Sequence, residues 1–244
     1  MSSILEKHKK IWDSKKIIRD IYTSYYKMIL KDINDEAKII ELGGGSGNFK
    51  QFEPRVISSD IVPSDYLDMC FDAHNMPFEN NEVSSIVMID VLHHLSNPIL
   101  FFKEVARVLK NRGRIIILEP YPSLFSSIVY KLFHPEPFIF DVDYFNKIET
   151  ETKDPWDSNQ AISYLLFFKH RDKFLKYFKD SGINLKFLKI KKLSCILYPL
   201  SGGFENRQLI PDFLIPFFKI IEFLFIPLRP LFAFRDYVVI EIEK

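Results

Sequence analysis

Lys38-Ile39-Ile40-Glu41-Leu42, followed at once by Gly43-Gly44-Gly45-Ser46-Gly47, is the stretch on which the reading of this chain turns. A short apolar run halted by clustered glycines reads as a buried strand entering a tight loop. Glycine takes positive φ at little cost, and without a Cβ it lets a ligand approach the main chain. Glu41, close to the loop, is unsuited to a pyrophosphate and suited to a cation. Two nucleotide-binding loops are absent. The pattern GxGxxG fails in both registers, because the third glycine would fall at Asn48 or at Lys50, which disfavours NAD. No lysine followed by Ser or Thr comes after the glycines, which disfavours the ATP-binding phosphate loop.

Outward from this loop, residues 55–60, 66–72 and 83–90 are strand candidates, each ending in an acid: Asp60, Asp72 and Asp90. Residues 98–110 have helical spacing, with Pro98 at a starting position and Asn111-Arg112-Gly113 as the stop; residues 114–119 read as a further buried strand. Strands alternating with helices predict an α/β fold with a parallel sheet and right-handed crossovers. Ligands of such sheets lie outside the carboxyl ends of the strands, where the glycines and acids fall. Residues 1–33 place apolar side chains at helical intervals and predict one or two leading helices. Beyond Pro120 the alternation lapses in a stretch rich in Phe, Tyr and Pro; a long helix over 159–179 and strands over 183–198 and 237–243 follow.

The 244 residues fit one domain. A hydrophobic share of 47% against 27% charged residues argues against disorder. Lysine plus arginine (33) nearly cancel aspartate plus glutamate (32), so nucleic acid is not an expected partner. Cys70 and Cys195 sit in no metal-ligand spacing, and with no HxxxH pattern no metal site is expected. The first ten residues lack the apolar run of a secretory signal, and a reduced, cytoplasmic setting is the simplest reading.

Residues 37–119 resemble the class I S-adenosylmethionine-dependent methyltransferases, of the type 11 kind. The resemblance rests on Ile40 to Gly47, the strand-end Asp60, Asp72-Ala73-His74-Asn75-Met76-Pro77-Phe78, Ile89-Asp90-Val91-Leu92-His93-His94-Leu95, and Leu109-Lys110-Asn111-Arg112-Gly113-Arg114, in order. It implies a Rossmann-like, mostly parallel seven-stranded sheet of order 3-2-1-4-5-7-6. Within the single domain it implies an N-terminal helical cap (1–36), a cofactor core (37–119) and aromatic-rich substrate-cap insertions (120–160 and 199–235). The implied cofactor is S-adenosylmethionine. Glu41 would hold the methionine ammonium, and Gly43 and Gly45 would let the loop pass beneath the cofactor. Asp60 would accept both ribose hydroxyls, as a carboxylate suits two adjacent O–H donors. Ile61 would pack on the adenine, and Asp72, with Ala73 alongside, would accept from its amine. Asp90 and Val91 would line the methionine arm. A lone strand-end acid is more often a turn or cap than a ligand. The ordered set favours function for Asp60 and Asp72 and leaves Asp90 balanced. His93 and His94 follow the fourth strand, where the methyl group should emerge. An imidazole with a pKa of about 6.5 can act as a base toward a hydroxyl, although packing explains the pair equally well.

The methyl acceptor must be read from outside the core. Residues 209–234 are strongly apolar but interrupted by Asp212, Lys219, Glu222 and Arg229, which rules out a simple membrane span of roughly twenty uncharged residues. A cap over the site, a surface dipping into the bilayer interface, and an oligomer contact are the readings, in that order. The flanking residues 198–204 and 234–237 are similar to segments of bacterial methyltransferases of envelope-glycan or lipid-linked glycan assembly. The leading expectation is therefore O-methylation of a glycan- or lipid-like acceptor, at the inner face of the membrane if residues 209–234 meet lipid. An N- or C-methyltransferase of a small hydrophobic metabolite or quinone precursor is the alternative. A cofactor-binding scaffold without catalysis is disfavoured by the intact Glu41, Gly43, Gly45, Asp60 and Asp72.

Overall fold

The computed structural model describes residues 3–34, 38–146 and 157–244. The expected boundary at 36/37 and part of the expected cap at 120–160 fall outside the described residues. The chain opens with α1 (Ser3–Ser14) and α2 (Lys16–Ile29), then runs through β1 (Lys38–Leu42), β2 (Ile57–Asp60), β3 (Met69–Cys70) and β4 (Val83–Ile89). It continues with α3 (Pro98–Val108), β5 (Leu109–Pro120), α4 (Leu124–Phe133), α5 (Ile162–Tyr164), α6 (Arg171–Asp180) and β6 (Asn184–Leu193). The last elements are α7 (Leu197–Ser201), α8 (Ile215–Leu224), α9 (Arg229–Phe232) and β7 (Arg235–Glu243). The strands form one sheet of order β3-β2-β1-β4-β5-β7-β6, parallel except for β7, which runs antiparallel to both neighbours. This is the order the resemblance implied.

The period of two along the strands divides the core between the faces of the sheet. Ile86, Met88, Ile115 and Ile117 pack with Phe102 and Val105 of α3 and Phe174 and Phe178 of α6. Val87, Ile116 and Leu118 belong to the cluster of Ile18, Tyr22 and Ile29 of α2. Burial on both faces explains why β4 and β5 read as continuous apolar runs. α3 begins where expected, with the Asn97 side chain accepting from the Leu100 N–H at 2.9 Å and Pro98 in the first turn. It ends at Val108, short of the expected 110, because Leu109 is already extended (ψ 141°) and pairs with Val83 of β4.

Three elements differ from expectation. α4 lies where no regular element was foreseen, and its exposed face carries Leu124, Ile128 and Leu132 in place of polar residues. The helix expected over 159–179 is interrupted by a π-helical stretch at Leu165–Lys169. Leu165, Leu166 and Phe167 are all buried there, and a regular helix does not place three consecutive residues on one stripe. The strand expected over 183–198 stops at Leu193, where Ser194 turns left-handed (φ 62°) and leads into α7. At that edge of the sheet β6 carries Lys186, Lys189, Lys191 and Lys192.

Two further features shape the surface around the site. The Lys15 ammonium donates to the carbonyls of Ser201, Gly203 and Asn206 at 2.9, 2.7 and 2.8 Å, tying the α1–α2 junction to the loop after α7. Glu222 of α8 turns inward and accepts from the N–H groups of Cys195, Ile196 and Leu197 at 2.8, 2.7 and 3.0 Å. Its helix exposes Phe217, Ile220, Phe223 and Leu224.

Candidate active site

A cleft of about 1230 Å³ opens at the carboxyl ends of β1, β2, β4 and β5, walled by α1 on one side and by residues 134–137 on the other. Gly43, Gly45 and Gly47 all take positive φ (69°, 52° and 67°). A Cβ on Gly43 would lie 2.1 Å from a methyl of Val91, so this position admits only glycine for packing as well as backbone reasons. Gly45 meets nothing closer than 3.7 Å and leaves the cleft floor open.

The acids read from the sequence all line this cleft. Glu41 is only 5% exposed; burial pushes its pKa up to about 7, although the Ser58 hydroxyl donates to it at 2.6 Å. The Asp60 carboxylate accepts from the Gly45 N–H at 3.2 Å and the Val62 N–H at 3.1 Å; burial raises its pKa, and these donors offset part of the rise. Ile61 is half exposed beside it. The exposed Asp72 accepts from the His74 N–H at 2.8 Å and lies alongside Ala73.

Asp90 stands apart. It is left-handed (φ 60°), accepts from the Tyr22 hydroxyl at 2.9 Å, and is ion-paired with the buried guanidinium of Arg235, which also donates to Tyr198. The side chain is thus committed to a link between α2, β7 and α7. Val91, whose side chain fills the space above Gly43, donates its N–H to Glu119 at 2.8 Å.

The two histidines lie in very different settings. His93 is 4% exposed, with Nδ1 2.5 Å from fully buried Glu119 and Nε2 3.5 Å from Glu136. Burial alone would depress its pKa, but the two carboxylates outweigh that and raise it to about 10. The two carboxylates thus favour the imidazolium form of His93, which has no proton-accepting nitrogen. Burial and the neighbouring His93 charge lower the pKa of His94, which keeps that ring neutral near pH 7.

The expected cap divides in two. Of the expected insertion 199–235, Phe204, Glu205 and Arg235 line the cleft, with Tyr198 just before it, whereas no residue of 209–234 does. Sequence reasoning did not single out Tyr22, Tyr130, Glu136 and Gln160 of the cleft lining, nor Glu119 behind His93, and it ranked His134 below His93 and His94. Glu119 carried a usable signal, being a fourth acid at a strand end, while Glu136 lies in a stretch without periodicity. His93, His94 and Glu136 also bring potential ligand atoms within 4.8 Å of one another, a grouping no spacing rule could reveal.

The sheet order and this cleft define a class I, Rossmann-like methyltransferase fold. Residues 41–117 match the methyltransferase domain family. Demethylmenaquinone methyltransferase of Staphylococcus haemolyticus is 31% identical over 140 residues, 56% of this chain and 55% of that protein. The chain thus spans about half the length of the curated relatives it matches. A SAM-dependent methyltransferase of Archaeoglobus fulgidus superposes with a TM-score of 0.53 at 16% identity, covering 92% of this chain and 94% of the other. Geranyl diphosphate C-methyltransferase of Streptomyces coelicolor gives 0.51 at 15% identity, covering 94% and 82%. At such identities the two structures share the fold alone.

Proposed function

We propose that the chain transfers the methyl group of S-adenosylmethionine to an oxygen of a glycan- or lipid-like acceptor presented at a membrane surface. The observation that carries this reading is the single cleft with Glu41, Asp60 and Asp72 along its strand-end side and a polar pocket of His94, His134, Glu136, Ser158 and Gln160 at the other end. Glu41 would meet the ammonium, Gly43 and Gly45 would allow close approach, and Asp60 would take the ribose hydroxyls. Ile61 would cover the adenine, and Asp72 with Ala73 would meet its amine. Val91 would border the methionine arm, while Asp90, held by Arg235, would shape the turn rather than bind. The sulfonium is an activated leaving group, so the protein supplies proximity, alignment and exclusion of water. The test is transfer of a labelled methyl group to an acid-stable ether on a membrane glycan fraction. Label in a carbon-bound methyl of a quinone precursor would instead establish the second reading, C-methylation, which the staphylococcal relatives favour.

Glu41 gives this reading a pH signature. Its folded pKa of about 7 lies above the ordinary 4.5, so the native state holds the extra proton between these values. Its contribution to stability in the ligand-free chain is full below pH 4.5 and is lost as pH rises through 7. A bound ammonium favours the ionised form. Cofactor affinity should therefore rise about tenfold between pH 6 and pH 8, following the ionised fraction of a group with this pKa. Calorimetry at both values checks it, and a Glu41→Gln chain with an equally steep rise would remove Glu41 as the cause.

Among the described residues no helix is long and apolar enough to cross a membrane. The outward faces of α4 and α8 nevertheless carry Leu124, Ile128, Leu132, Phe217, Ile220 and Phe223, all at least half exposed. Such an apolar face on the outside of packed helices suits the headgroup boundary of a bilayer. α4 places Tyr130 in the cleft from its inner side, so a lipid-anchored acceptor would have a short path to the site. The full chain should float with phospholipid vesicles, and Phe217→Asp/Ile220→Asp/Phe223→Asp should stay behind. Absence of the unaltered chain from the vesicle fraction would remove the membrane reading.

A further inference from the structure

His93 and His94 occupy the 3₁₀ turn Leu92–His94 after β4, and Glu136 reaches them from the segment after α4. Each has a supporting partner behind it. Glu119 faces His93 Nδ1 at 2.5 Å and is itself fixed by the Val91 and Leu92 N–H groups at 2.8 and 2.7 Å. Gln160 Nε2 donates to Glu136 at 2.9 Å, and His94 Nδ1 lies 3.3 Å from the Asp157 carbonyl. A carboxylate behind a histidine fixes its tautomer and directs the other ring nitrogen at a cation. The 3.5 Å between His93 Nε2 and Glu136 is the separation of two ligands on a tetrahedral ion, given bonds of about 2.0–2.1 Å.

Charge points the same way. Glu119 is fully buried and Glu136 partly so, and among the described residues neither forms a salt bridge with lysine or arginine. Arg235, the buried cation of the cleft, is paired with Asp90. One imidazolium leaves the two carboxylates a net negative charge, whereas a dication with neutral histidines cancels both. A separate observation marks the space as a ligand site. Gln160 is 2% exposed and lines the cleft, yet its Oε1 is buried without a partner, as is Ser158 Oγ. A hydroxyl or water held on an ion would satisfy such atoms.

We infer that His93, His94 and Glu136 form a divalent metal site of two imidazoles and one carboxylate, with open positions facing the acceptor end of the cleft. This donor set suits Zn²⁺ or another first-row ion better than Mg²⁺. The ion replaces the proton between His93 and Glu136. The catalytic use of the site rests on the methyl-transfer reading, but its existence does not. In that use the ion binds an acceptor hydroxyl and lowers its pKa, and the proton passes to water. The oxygen then attacks the sulfonium methyl: the C–O bond forms, and the C–S bond breaks with its electron pair returning to sulfur.

The test is calorimetric titration of chelator-treated full chain with ZnCl₂, repeated with Co²⁺ while recording visible absorption. One equivalent should bind, and Co²⁺ should show the intense bands of a four- or five-coordinate site. His94→Ala/Glu136→Ala should lose both signals, and Glu119→Gln should weaken binding about 10–100-fold. Near-ultraviolet circular dichroism identifies the folded variants. No binding to the intact chain, or equal binding by the folded double variant, would overturn the site. Asp60→Ala should lose the cofactor yet bind Zn²⁺ normally; unaltered chain that binds Zn²⁺ but no S-adenosylmethionine would overturn the cofactor reading alone, and unaltered chain that binds S-adenosylmethionine but no Zn²⁺ would overturn this site alone.

Discussion

Asp60→Ala should abolish measurable binding of S-adenosylmethionine and of its demethylated product while leaving the fold intact. Asp60 ends β2, its two oxygens are set by the N–H groups of Gly45 and Val62, and its carboxylate faces the cleft. Two charge-assisted hydrogen bonds to ribose hydroxyls would contribute about 1.5–3 kcal/mol each, so their joint loss is a fall of two orders of magnitude or more. The carboxylate itself is stabilised by few partners, and burial raises its pKa, so alanine relieves an unfavourable charge in the empty cleft. Calorimetry with the cofactor and thermal unfolding together decide the matter. Unaltered affinity in a folded Asp60→Ala chain would defeat the cofactor assignment.

The second large effect concerns stability. Arg235→Ala should destabilise the chain by about 3–5 kcal/mol, the usual consequence of breaking a buried ion pair from one side. Arg235 is 2% exposed, donates to Asp90 and Tyr198, and stacks with its guanidinium carbon 4.3 Å from the Tyr198 ring centre. Without it, Asp90 stays left-handed beside Tyr22 with no opposite charge to hold it. Urea unfolding measures the loss. A change below about 1 kcal/mol would mean that the pair's desolvation cancels its attraction and that Asp90 is held by other means.

The strand-glycine junction at Leu42-Gly43 and the later acids were legible because each rests on local chemistry. β1 must end where the glycines begin, and its neighbours must end near the same edge of a parallel sheet. β4 and β5 announced themselves through continuous burial, and α3 through its Pro98 start. What was hidden depends on contacts distant in the chain. The meeting of Asp90 with Arg235 joins residues separated by 145 positions, and Glu136 reaches His93 across a segment without periodicity. α4 was hidden for another reason: helices are sought by a polar outer face, and the outer face of α4 is apolar. The π-helical stretch was hidden because three adjacent buried residues carry no periodic signal.

The lysines of β6 have a practical consequence at high protein concentration. A long strand at the edge of a sheet offers unpaired backbone groups to a second molecule, and the like charges of Lys186, Lys191 and Lys192 oppose that addition, Lys189 being paired with Asp32. Self-association should then begin at the apolar helices and not by sheet extension. Added salt screens the lysines and strengthens apolar adhesion, so it would worsen colloidal behaviour on both counts. A mild detergent, which covers the helices and leaves the charged edge repulsive, is the condition under which concentrated stocks should stay clear.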